Sequence, residues 1–182
     1  VTDPSSGEYQ IPLIITPPSV TVEQLKKEHD NAPCPTQLST YTTKYSNSDE
    51  GRCYNIKKSA EAINGTVLYP GEEFSFLNEV GPAGKEQGYK ESTVYTSSGV
   101  DKGYGGGICQ VSTTAYLAAI YGYLPITERH NHSYTVGYVP LGFDAAVSWG
   151  GTDLRFKNNR PNPVKIVASA DSGTITVSIF GS

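Results

Sequence analysis

The chain reads as an α+β domain, a mostly antiparallel sheet packed around a central buried helix, and three observations lead there. Residues 109–124 are apolar nearly all the way round, with Val111, Ala115, Leu117, Ala118, Ala119 and Ile120 among them, the pattern of a helix sunk in a core. Downstream, 126–132, 134–139, 145–149, 153–156, 164–168 and 174–180 are strand-like stretches parted by turns such as Asn158-Asn159 and Asp171-Ser172-Gly173, which suits antiparallel pairing. Composition agrees: 13 Tyr, 19 Gly and 12 Pro with 18% charged residues describe a strand- and loop-rich domain of the extracytoplasmic kind.

Taken in order, residues 1–8 are rich in Ser, Pro and Gly and read as a linker. A strand is expected at 9–16, ended by Pro17-Pro18, and a short helix at 21–27 opened by Thr21 with Gln24 three residues on. Residues 1–30 are therefore assigned to a linker and the C-terminal remnant of a preceding module, and 31–182 to the main domain. Within it, 39–45 suggests a strand, and Ile56, Ala60 and Ile63 mark one face of a helix that Asn64-Gly65 stops. Strands at 66–68 and 73–76 flank the Pro70-Gly71 turn. The glycine-dense stretch 81–107 suits a long irregular loop, a mobile flap near a site. Gly122 and Pro125 end the buried helix. There is no internal repeat.

With 182 residues, the chain can bury one good core. The net charge of −4 is mild and the 14 Lys and Arg are scattered, which argues against nucleic acid as a partner. No apolar run approaches the length of a membrane span, and no signal-peptide core is present. The absence of Met reads as a portion of something longer, with any anchor lying upstream.

The three cysteines are an odd number. Cys34 and Cys53 lie in polar, turn-rich sequence and are expected to form a disulfide, which would contribute about 3 kcal/mol in the chain-entropy model and place the domain outside the cytoplasm. Cys109 stands alone. It follows Gly105-Gly106-Gly107 and opens the buried helix, where unpaired N–H groups and the helix dipole favour thiolate, and where glycines leave room beside the sulfur.

Downstream come His130 and His132, which share a face if 126–133 is one strand, with Asn131 on the other. One histidine takes the thiol proton and passes it to a leaving amine, and the other orients the first or contacts substrate, His132 being the preferred base and His130 the second of the pair. First-turn N–H groups around Cys109 and Gln110, with the Gln110 amide, would stabilise an oxyanion. Gly107, Ser112, Asn131 and Ser133, within the same stretches, complete the candidate substrate and oxyanion set. Acyl transfer through a thioester follows. A zinc set of Cys109, His130 and His132 is the weaker alternative because it lacks a close-spaced ligand pair, so no metal is expected. His29 reads as solvated. Asp144 either steadies a histidine or closes an Asx-turn.

The runs 105–114 (GGGICQVSTT), 128–133 (ERHNHS) and 138–142 (YVPLG), supported by 63–67, 70–76 and 153–159, closely resemble the VanW-domain family of bacterial envelope proteins, over roughly residues 39–168. The part before about Glu28 looks like the end of a peptidoglycan-binding module. Some members of the family act as L,D-transpeptidases, and the resemblance puts the nucleophile's role on Cys109. What it implies is a secreted or membrane-tethered, monomeric cell-wall enzyme that needs no cofactor and forms 3-3 cross-links between peptidoglycan stem peptides. The competing readings are a non-catalytic peptidoglycan-binding module and an L,D-carboxypeptidase or endopeptidase using the same residues.

Overall fold

In the computed structural model, which describes residues 33–96 and 99–182, the expected α+β class is borne out: every strand pairing is antiparallel and a buried helix carries Cys109 near its start. The strand and helix expected at 9–16 and 21–27, the 1–30 segment and His29 lie outside the described residues.

The sheet is divided. β1 (Thr36–Lys44), β9 (Thr174–Gly181), β8 (Val164–Asp171) and β2 (Val67–Leu68) form a four-stranded sheet in that order. β3 (Glu73–Ser75), β7 (Arg155–Lys157) and β6 (Ile126–Glu128) form a second, and β4 (Glu91–Thr96) with β5 (Gly99–Tyr104) a separate hairpin. β8 and β9 turn through Ser172 and Gly173, both at positive φ, as a tight turn between right-twisted strands requires. Alternation then points Val164, Ile166, Ile175, Val177 and Ile179 into the core, all at 0% exposure. In the second sheet, Phe74 and Phe156 are cross-strand partners whose rings stack with centroids 4.6 Å apart. Each such side chain contributes about 1.5–3 kcal/mol by leaving water.

Three helices are described: α1 (Glu50–Ile63), α2 (Phe76–Val80) and α3 (Ile108–Tyr121). α1 begins earlier than the apolar spacing suggests, because Asp49 caps it by accepting the Arg52 N–H at 2.9 Å. α3 packs against β1, β9, β6 and α1. Its polar residues are buried too, and each has a partner: Thr114 donates back to the Gln110 carbonyl at 2.7 Å and shares a hydrogen bond with Thr43 at 2.9 Å.

Several expectations are corrected. The 81–107 stretch holds the β4–β5 hairpin rather than being irregular throughout. β6 stops at Glu128, short of both histidines, and 134–139 and 145–149 are not strands. In the latter, backbone groups bond to hydroxyls of α3 and to the His130 carbonyl instead of to a neighbouring strand.

The expected Cys34–Cys53 disulfide is not formed. Cys34 Sγ lies 3.4 Å from the Pro163 carbonyl and Cys53 Sγ 3.6 Å from that of Ser46, and both are free thiols. They flank opposite ends of the nine-residue β1, which at about 3.3 Å per residue separates them far beyond the Cα spacing of about 7 Å that a disulfide can bridge.

Candidate functional site

The glycine run sets where α3 starts. Gly105 and Gly107 have φ of +78° and +110°, and Gly107 is the N-cap. None of the three leaves open space. A Cβ on Gly106 would lie 2.4 Å from the Thr93 carbonyl oxygen of β4, and one on Gly107 would lie 2.8 Å from Ile56 Cγ1. The glycines thus let the loop pack tightly against β4 and α1, and it is this close approach that a side chain at 106 or 107 would disturb.

Cys109 is the second residue of α3 and keeps some surface exposure. Its Sγ lies 3.4 Å from the Val147 carbonyl oxygen. Burial pushes the thiol above its ordinary value; the Val147 backbone and the Arg52 guanidinium oppose that and Asp144 adds to it. The expectation of a resting thiolate at the helix terminus is therefore reversed, because desolvation of the charged sulfur outweighs the partial charge of the helix end.

Residues 144–147 are stitched to α3 and to the histidine loop. The Ala145 N–H donates to Thr113 Oγ1 at 2.9 Å, the Ala145 carbonyl accepts from Ser112 Oγ at 2.6 Å, and the Ala146 N–H donates to the His130 carbonyl at 2.8 Å. This fixes Asp144, which is 7% exposed. Asp144 Oδ2 accepts from the His132 backbone N–H and lies 2.6 Å from His132 Nδ1, while Oδ1 pairs with Arg129 Nη2 at 3.1 Å. Burial alone would raise the Asp144 carboxyl, yet the backbone and ring hydrogen bonds from His132 hold it below the usual carboxylate range. An ionised carboxylate only accepts, so Nδ1 carries the proton and a neutral His132 has its lone pair on Nε2.

The two histidines therefore have different fates. His132 is nearly enclosed, its side chain 7% exposed. His130 is exposed, with Nε2 3.2 Å from Glu128 Oε1. The structure does not bring them together on one strand face, because the strand has already ended.

Of the other expected site residues, Gln110 is 1% exposed and spent on structure: its amide donates to Thr43 Oγ1 and the Lys44 carbonyl, and its Oε1 accepts from Arg52 Nη2 at 2.6 Å. The Gln110 and Ile108 N–H groups are tied to the Gly107 and Gly105 carbonyls at 3.0 and 3.2 Å. Ser112 is buried and bonds the Cys109 and Ala145 carbonyls. Asn131 and Ser133 are exposed and line, with His132, Tyr134 and Asp144, a cavity of about 350 Å³. Cys109 is not in that lining.

Residues missed from sequence include Arg129, whose Nε donates to the Asp144 carbonyl at 2.6 Å, and Arg52 of α1. Arg129 lies inside the ERHNHS run and could have been found there; nothing local marks Arg52. Among the described residues no group of three His, Cys, Asp or Glu could hold a metal ion, and none of the helices is long and apolar enough to cross a membrane.

The class is that of an antiparallel α+β domain with a partly buried thiol near the start of α3 and, on the loops beside it, an imidazole held by the Asp144 carboxylate. The family model for VanW like protein matches residues 51–180, and the chain belongs to that family. It is 40% identical over 80% of its length to a Bacillus subtilis (strain 168) protein called uncharacterized protein YoaR, covering 48% of that protein. It is 29% identical over 72% of its length to the vancomycin B-type resistance protein VanW of Enterococcus faecalis (strain ATCC 700802 / V583), covering 50%. The chain thus spans about half the length of the curated relatives it matches. No solved structure matches it.

Proposed function

We propose that this domain is an extracytoplasmic cysteine acyltransferase of the cell wall, an L,D-transpeptidase whose nucleophile is Cys109 and whose base is His132. The observation that carries the reading is one short segment, clamped to α3, that offers the Val147 carbonyl to the thiol and, three residues earlier, the Asp144 carboxylate to His132 Nδ1. The peptidoglycan substrate and the location outside the cytoplasm rest on the family resemblance; the disulfide that would have supported the location is not formed.

Because the resting thiol is protonated, the nucleophile forms as the proton leaves. His132 Nε2 takes the proton from Sγ as Sγ attacks the carbonyl carbon joining the diamino acid to the terminal D-Ala of a tetrapeptide stem. The C=O electron pair moves onto oxygen, then returns as the C–N bond breaks, and His132 gives its proton to the departing D-Ala amine. A side-chain amine of a second stem next attacks the thioester and releases the thiol, leaving a 3-3 cross-link. With the Ile108 and Gln110 N–H groups committed, the oxyanion role in the first helical turn falls on the N–H of Cys109 itself.

The test is incubation with disaccharide-tetrapeptides followed by mass spectrometry. A thioester mass on Cys109, release of D-Ala and cross-linked dimers, all lost in Cys109→Ala, are expected. D-Ala release without dimers would mean hydrolysis by the same residues. No adduct, no D-Ala release and undiminished binding by Cys109→Ala would reduce the domain to a peptidoglycan-binding module.

A further inference from the structure

Among the described residues, the buried side-chain oxygen and nitrogen atoms that lack a hydrogen-bond partner are Tyr138 Oη, Arg155 Nε and Arg160 Nε. The two arginines have other polar contacts: Arg155 lies within ion-pair distance of Glu73, Glu128 and Asp153, and Arg160 Nη2 donates to the Gly122 carbonyl. Tyr138 has one polar atom, and it is the orphaned one. A buried hydroxyl without a partner costs stability, so a fold that keeps one calls for a reason.

Its position suggests the reason. The ring packs with the cluster of Leu117, Val136 and Val139, beside Tyr116. Along α3, Leu117, Thr113 and Cys109 follow one another at intervals of four and so share one face of the helix. Tyr138 is anchored at the Leu117 end, and its hydroxyl lies close enough to Thr113 to feel that hydroxyl but makes no well-formed hydrogen bond with it, because the Thr113 hydroxyl is already engaged with Ala145 as donor and acceptor. One turn further lies Cys109, whose sulfur, once ionised, the phenol would also feel. Burial keeps the phenol far above its ordinary value, so it remains a proton donor at every pH the enzyme would meet.

We propose that the Tyr138 hydroxyl is a catalytic oxyanion donor, left unpaired in the resting protein so that it can bind the carbonyl oxygen of the acyl group attacked by Cys109. It would act with the Cys109 N–H, in the place that the committed Gln110 amide cannot fill. The proton stays on the phenol throughout; it lends a hydrogen bond to the tetrahedral oxygen and relaxes when the thioester forms. This rests on the acyl-transfer reading above.

Tyr138→Phe tests it, with disaccharide-tetrapeptide as substrate and iodoacetamide as a second reagent. Loss of one such donor lowers kcat by about a hundredfold or more, with KM little changed. Alkylation of Cys109 by iodoacetamide builds no oxyanion, so its rate stays within about twofold. The melting temperature holds or rises, because a partnerless hydroxyl has gone. An unchanged kcat, an equal fall in alkylation, or a lower melting temperature would each overturn the assignment, the last by revealing a structural partner. If the wild-type protein itself forms no thioester, the acyl-transfer reading fails first and takes this role with it; if the wild type reacts and Tyr138→Phe matches it, Tyr138 alone loses its role.

Discussion

Asp144→Asn is the substitution that most directly probes the cluster. The carboxylate accepts two bonds from His132 through Oδ2, each at 2.6 Å, and one from Arg129 through Oδ1 at 3.1 Å. Asparagine has only one acceptor oxygen, and its less costly placement keeps that oxygen on His132 and turns the NH₂ toward Arg129. Two charge-assisted bonds become neutral, at about 1 kcal/mol each, and a donor meets a donor. Arg129 limits the damage, because it keeps the Gly142 and Asp144 carbonyls. The sum is about 2–3 kcal/mol, a fall of about 4–12 °C in melting temperature for a domain of this size.

The loss should itself depend on pH. The Asp144 carboxyl is held below the usual range in the fold, so its contribution is complete above the unfolded value of about 4 and disappears as pH falls through the lower folded value. Scanning calorimetry at pH 7 and in acid would therefore show a gap between wild type and Asp144→Asn that closes as pH drops. A gap under about 2 °C at pH 7, or one that does not narrow in acid, would refute the ion-pair account of this site.

Alkylation of Cys109 should be slow at pH 7 and still climbing past the ordinary thiol range of about 8.5, since burial raises this thiol; a plateau below pH 7 would mean a thiolate at rest. Gly107→Ala should lower stability by about 1–2 kcal/mol from positive φ alone, and by more where the new Cβ meets Ile56 Cγ1 at 2.8 Å, a change that urea unfolding would measure. Dithiothreitol should leave the melting temperature unchanged, and thiol titration of the unfolded protein should count Cys34 and Cys53 as free; a melting temperature lowered by reductant would restore the disulfide.

Much of the fold was legible because it follows from periodicity. The all-round apolar character of 109–124 implied a helix with buried sides, and α3 is that helix. The strand-like stretches 164–168 and 174–180, parted by Asp171-Ser172-Gly173, implied antiparallel strands, and β8 and β9 extend over them. The failures came where backbone groups found partners other than a strand. At 145–149 the residues look strand-like, but Thr113, Ser112 and the His130 carbonyl took their hydrogen bonds. Within the site, Cys109, His132 and the choice for Asp144 could be named from sequence, whereas the equivalence of the two histidines could not survive a strand that ends at Glu128.

What the sequence by itself determined is the set of chemically able groups and the local elements that carry them, since helix and strand periods, glycine punctuation and the thiol at a helix start are properties of near neighbours along the chain. Only the tertiary structure decided which groups meet. Asp144 turns to His132 rather than closing a turn, Gln110 is spent on Arg52 and Thr43, and the sulfur is desolvated rather than ionised. Each of these depends on what packs around a polar atom. Burial and partner distance govern the energy of a charge, and residues far apart in the chain supply both.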